Sequence, residues 1–288
     1  MPHTSRKTRK PPPRNRKPTQ VALENGWNLI TRSRCSARPD MERETLSSSK
    51  GAPWNVCSEG PTIEGLTLRQ LAADFARHEL LYLASDCCQS VRRHVGKAFG
   101  RDAQGLYGLG GGIANAVCLA LGSLCREHYN RNGRFWQLAM FMDIVKQLKQ
   151  HHNNIDAFIQ EPALRPLDIE FLKSLGLTIL EDPAATRVIQ RTSFVYAPCM
   201  YALHLLCEIL AGKDPALFIN PDLAECIRGW QLTPAGDRTE ETIKNAQRFE
   251  DGWHKERIPE PETSCVPFPS FRIYWKDADP PSSATAPP

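Results

Sequence analysis

Five consecutive positions, Gly108-Leu109-Gly110-Gly111-Gly112, carry the clearest chemical signal in this chain. Glycine accepts positive φ and lets a ligand come up against the backbone. Between a strand and a helix, such a turn offers unpaired N–H groups and the positive end of a helix dipole. That arrangement suits a phosphate or a carboxylate. The spacing is G-x-G-G-G. It departs from the dinucleotide pattern G-x-G-x-x-G because Ile113 stands at the third glycine position. It satisfies a methyltransferase-type G-x-G-x-G, although the acid that usually stands two residues ahead is replaced by Leu106. No lysine follows, so the turn is not a Walker A loop. Gly108, Gly110, Gly111 and Gly112 are the candidate ligand-binding residues. The competing reading is a tight strand-to-helix turn that needs small residues.

Glu161 is the second candidate. It ends an apolar run, Ile155 to Ile159, and precedes Pro162. An acid at the end of a core strand can accept ribose hydroxyls; otherwise it is a solvated carboxylate before a proline turn. Asp168 opens a short helical pattern, where an acid complements the dipole without any further function. Cys199 follows Pro198 at a strand end, and His204 is the only sequence-local base, about one helical turn later. Both read better as structural than as a nucleophile and its base. His151 and His152 sit at a helix end, where they complement the dipole. Ten cysteines without a C-x-x-C pair give no zinc spacing and read as reduced thiols of a cytoplasmic protein. No catalytic or metal-binding residue is assigned.

The elements that must position these groups follow from periodicity. Leu68, Leu71, Ala72 and Phe75 share one helical face, and this N-terminal helical segment runs from Thr67 to about Val95. In the core, Gly105-Leu106-Tyr107 reads as a strand ahead of the glycines, and Ile113, Val117, Leu121 and Leu124 as one helix face. A helix over 135–150, a strand at 155–159 and a short helix over 166–175 follow. Gly176 is the left-handed stop of that helix. Strands at 177–180 and 193–196, a helix at 200–210 and a last strand at 217–220 complete it. Short apolar strands alternating with helices predict an α/β fold: a Rossmann-like parallel sheet of about five strands with flanking helices.

The ends differ in composition. Residues 1–18 hold seven Lys and Arg and no acid; without them the formal charge of +4 becomes −3. The remainder offers no basic surface for nucleic acid, and the arm alone could contact phosphate or direct nuclear import. No apolar run reaches membrane-spanning length. The expected organisation is a disordered basic arm over 1–20, one domain over 21–230 with its core at 105–220, and a proline-rich disordered tail over 231–288.

The ordered set of segments resembles the SRR-like family, named for sensitivity to red light reduced. The resemblance rests on Glu24-Asn25-Gly26-Trp27, Leu106-Tyr107-Gly108-Leu109-Gly110, Gln137-Leu138-Ala139, Glu161-Pro162 with Asp168, Leu175-Gly176-Leu177, Phe194-Val195-Tyr196-Ala197-Pro198 and Leu217 to Asn220. It departs from the family at Glu161, where Asp is usual. It departs again at Ala197-Pro198-Cys199-Met200, which lacks the histidine of Met-Pro-His-Cys, and at Ile219-Asn220 in place of Gly-Asn. The resemblance implies a Rossmann-like fold and a role in circadian or light signalling or related cellular control, with protein partners, but no defined reaction. Two functions stay open: a non-enzymatic regulatory protein, the stronger on these residues, and a small-molecule enzyme using a nucleotide or S-adenosylmethionine at the glycine turn.

Overall fold

The computed structural model describes residues 19–22, 28–31, 60–99, 112–128, 130–151, 154–231, 237–260 and 270–276. The chain divides into two units, Met1–Trp54 and Asn55–Pro288. The first unit contains an antiparallel ribbon of β1 (Thr19–Ala22) and β2 (Asn28–Thr31). The basic arm over 1–18, the strand expected at 105–107 and the glycines Gly108, Gly110 and Gly111 lie outside the described residues.

The second unit opens with α1 (Leu68–Leu83) and α2 (Asp86–Phe99). Thr67 starts α1 through a reciprocal cap: its Oγ1 accepts the Gln70 amide, and the Gln70 side chain accepts the Thr67 amide. Then β3 (Asn115–Leu119), α3 (Arg131–His151), β4 (Asp156–Gln160), α4 (Pro166–Ser174) and β5 (Thr178–Leu180) follow. After α5 (Ala185–Val188) come β6 (Ser193–Tyr196) and α6 (Ala202–His204), which runs on into a π-helical turn, Leu205–Ile209. The last described elements are β7 (Leu217–Pro221), α7 (Leu223–Gln231), α8 (Asp237–Gly252), β8 (His254–Ile258) and β9 (Phe271–Trp275).

Seven strands form one mixed sheet in the order β5-β4-β3-β6-β7-β9-β8. The five from β3 to β7 are parallel, as the apolar runs predict; β9 inserts antiparallel between β7 and β8. The fold is α/β and Rossmann-like. Two buried clusters cover the sheet. On one face Ala116, Cys118, Phe194 and Tyr196 pack with Leu71, Phe75, Val91 and Phe135 of α1 to α3. On the other, Val117, Leu119, Val195 and Phe218 pack with Leu205, Ile209, Ile227 and Phe249. The N-terminal helical segment therefore belongs to the sheet's cover. Arg92 pins α2 to α3 through two bonds to Asp143, at 2.6 and 3.1 Å.

Two expectations are corrected. The segment with Ile113, Val117, Leu121 and Leu124 is not a helix. It is the central strand β3 and the turn that leaves it. The four apolar residues Ala116–Leu119 are buried on both faces and show no alternation, so Val117 and the flanking Ile113, Leu121 and Leu124 match a helical period by chance. The region beyond 231 is not simply a proline-rich tail, for it supplies α8, β8 and β9. Phe249, Ile258, Phe271 and Tyr274 are buried there, which offsets the chain entropy that composition alone left unbalanced.

Candidate functional site

From β3 the chain passes through α3 to β4 on one side, while β6 pairs with β3 on the other. That divergence is a topological switch point, and ligands of open α/β sheets bind at the carboxyl ends of the strands beside it. The residues at that edge are the turn over 120–125, Glu161 after β4, residues 197–201 after β6 and Asn220 near the end of β7.

The turn is built on two left-handed residues, Ala120 at φ 55° and Gly122 at φ 79°. Gly122 cannot be replaced without rearrangement. A Cβ there would stand 2.5 Å from the guanidinium carbon of Arg134, so the arginine packs directly against the backbone. Ala120 pays about 1–2 kcal/mol for a conformation that suits glycine. Non-glycine residues held in that region concentrate at functional sites, where the surroundings enforce them.

Two carboxylates shape this turn. Glu161 Oε2 accepts the Gly122 amide at 2.8 Å, and its Oε1 accepts the Ala163 amide at 2.8 Å. Asp168 is wholly inaccessible and accepts four hydrogen bonds. They come from the Ser123 hydroxyl (2.6 Å) and the amides of Leu124 (2.9 Å), Cys125 (3.0 Å) and Arg165 (2.9 Å). Asp168 thus caps α4, as the sequence suggests, and also fixes the turn after β3. Pro166 at the first helical position and Gly176 at φ 81° delimit the nine-residue helix that carries it. From α3, Arg134 Nη1 donates to the Ser123 carbonyl at 2.6 Å and Arg131 Nε to the Leu124 carbonyl at 2.6 Å. Arg131 also meets Asp74 of α1 at 3.0 Å.

Next along the edge, Cys199 is exposed, and its sulfur lies 3.6 Å from Nε2 of Gln137, a fully buried amide on α3. Tyr201 is 67 % exposed. Asn220 is buried, and its Oδ1 has no hydrogen-bond partner among the described residues. His204 is held by Glu208 at 2.8 Å, while Cys199 rests on Gln137. The interior thiols are poor nucleophiles: burial pushes Cys87 up to about 12 and raises Cys118 as well. A cavity of about 160 Å³ lined by Leu203, Cys207, Glu208 and Glu241 lies elsewhere, between the α6 segment and α8. Among the described residues, no group of three or more His, Cys, Asp and Glu is placed to hold a metal ion, and no helix is long and apolar enough to cross a membrane.

Of the residues singled out from sequence, Glu161 stands at the switch point. Gly112 does not. It precedes β3, and the Ala114 amide bonds to the Thr192 carbonyl just ahead of β6. The five residues of β3 separate Gly112 from the carboxyl edge by roughly 17 Å at about 3.3 Å per residue. Gly112 and Glu161 therefore do not share a site. Residues 120–125, the turn after β3 at that edge, are not among the residues singled out from sequence. Their one sequence signal is Gly122-Ser123 directly after an apolar run.

An SRR1 domain matches residues 89–275. No curated protein matches the sequence. Among solved structures of similar fold is a protein from Corynebacterium glutamicum, with 11% identity over 73% of this chain and 92% of that one, at a TM-score of 0.40. Another is the O-methyltransferase TomG from Streptomyces achromogenes in complex with SAM, with 7% identity over 75% and 91%, at 0.38. A third is the cofactor-bound protein Rv0187 from MTB, with 10% identity over 74% and 92%, at 0.34. Such likeness concerns the fold. Methyltransferases recur among these structures. The expectation of a non-enzymatic regulatory protein in circadian or light signalling is corrected to the extent that O-methyltransferases, and no regulatory protein, are named among these structures. With its domain spanning most of the second unit, the chain belongs to the SRR1 domain family.

Proposed function

We propose that this chain is a small-molecule enzyme that holds a nucleotide-like cofactor over residues 120–125, with S-adenosylmethionine the first candidate. The observation that carries the reading is the bond from the Gly122 amide to Glu161. It sets a carboxylate beside a tight turn at the point where the strand order reverses. A carboxylate is an acceptor with several positions, the type of group that takes ribose hydroxyls. Gly122, lacking a side chain, lets the Arg134 guanidinium pack against the backbone and hold the turn in shape.

S-adenosylmethionine supplies an electrophilic methyl group when bound. The residues of this chain would bind and orient it. Glu161 would hold the ribose, and Asp168 would keep the turn in shape through Ser123, Leu124 and Cys125. The acceptor substrate would approach over the end of β6, where Cys199 and Tyr201 are exposed.

Isothermal titration of S-adenosylmethionine into the full chain tests this reading. Saturable binding is expected, weakened at least about tenfold in Glu161→Gln, a loss of about 1.4 kcal/mol. Binding that is equal in the two proteins would move the ligand away from Glu161. No binding of it or of any other nucleoside cofactor would refute the reading.

A further inference from the structure

Phosphate-binding turns of α/β folds present free backbone N–H groups to the anion. Here the corresponding groups face inward. The amides of Gly122 and Ala163 donate to Glu161, and those of Leu124 and Cys125 donate to Asp168. The protein's own carboxylates thus fill the positions a phosphate would take, and they add negative charge at the same place.

The neighbouring cations do not restore an anion site. The guanidinium of Arg134 is buried against Gly122 and donates to the Ser123 carbonyl. Arg131 donates through Nε to the Leu124 carbonyl and through Nη1 to Asp74, and its Nη2 is buried. The first turn of α3 offers no substitute. Its start at Arg131 lies beyond the turn, after a further five residues, and the Asn130 amide donates to His128 Nδ1.

We infer that the site selects an adenosine-type nucleoside without phosphate and disfavours phosphorylated nucleotides, because Glu161 and Asp168 already occupy the amides a phosphate would need. This rests on the cofactor reading above and narrows it. The recognition elements are a carboxylate for the ribose hydroxyls and a turn closed to anions. A cationic centre beyond the ribose meets attraction there, a neutral one meets no repulsion, and a phosphate meets two carboxylates.

The test titrates the full chain with adenosine, S-adenosylhomocysteine, ADP and NAD at one ionic strength. Adenosine and S-adenosylhomocysteine are expected to bind at least about tenfold more tightly than ADP and NAD, the factor that 1.4 kcal/mol gives. In Glu161→Gln the preference should shrink, since the charge is lost while the side chain keeps its size. ADP or NAD binding as tightly as adenosine overturns this inference and leaves the cofactor reading standing. Binding of none of the four overturns both. Should Glu161→Gln prove unstable, the salt dependence of ADP binding to the wild type serves instead. Affinity that rises with salt fits repulsion at the site, and affinity that falls with salt contradicts it.

Discussion

The carboxylate of Glu161, at the end of one strand, accepts the backbone amide of Gly122, in the turn that leaves the neighbouring strand, at 2.8 Å. The bond couples two separate crossovers of the sheet at its switch point. Removing the charge should therefore loosen the turn as well as weaken the ligand. Hydrogen bonds to charged groups contribute about 1.5–3 kcal/mol, so Glu161→Gln should cost about 1–2 kcal/mol of stability. Chemical denaturation without ligand measures it. A change below about 0.3 kcal/mol would show that Glu161 does not hold the turn.

Gly122→Ala should be more severe. The new Cβ meets the Arg134 guanidinium, and the positive φ adds its own penalty. Overpacking of about 1–3 kcal/mol and a left-handed cost of about 1–2 kcal/mol predict a loss of roughly 2–5 kcal/mol. The denaturation midpoint should fall correspondingly. A near-neutral effect would mean that Arg134 moves aside freely.

Ala120→Gly should act in the opposite direction. It relieves a left-handed alanine and adds the chain entropy of glycine, for a net gain of up to about 1 kcal/mol. For a unit of this size that gain raises the melting temperature by about 2–4 °C. A clear loss of stability would show that the Ala120 methyl makes packing contacts worth more than the strain.

His94 gives the second unit a pH dependence. It is buried, with Nε2 3.0 Å from Ser90 Oγ. Burial holds its pKa below the ordinary 6.5. Glu256 and the Arg257 backbone pull upward, and Lys97 and Arg93 push further down. The neutral form is therefore the folded form, and below pH 6.5 the unfolded chain binds the proton first. Stability should fall as pH drops through 6.5 and level off below the folded pKa. Urea midpoints between pH 8 and 5 should show that decline in the wild type and a flatter profile in His94→Gln. Identical profiles would remove His94 as the cause.

The sequence was most readable where local chemistry and fold agree. The strand over 193–196 was placed to the residue, and α4 is bounded by Pro166 and Gly176 as their conformations require. It was least readable at β3, where Ala116 to Leu119 is buried on both faces and carries no alternation. Misplacing that strand moved the expected turn to Gly108–Gly112, of which only Gly112 is described, ahead of β3. β8 was hidden for a different reason. It is an edge strand, so it carries Lys255, Glu256 and Arg257 and reads as polar tail. Asp168 looked like a helix cap, and it is one. Its bonds to Ser123, Leu124 and Cys125 span more than forty residues of chain, and no local pattern announces them.

The most direct test of the central claim is the thermal unfolding of the full chain with S-adenosylmethionine or S-adenosylhomocysteine. At a hundred times Kd, a ligand that binds only the folded state adds about 2.7 kcal/mol. That corresponds to a rise of about 5–10 °C for a domain of this size. The account predicts such a rise for the wild type and a much smaller one for Glu161→Gln at the same concentration. An unfolding temperature that neither ligand moves would contradict it.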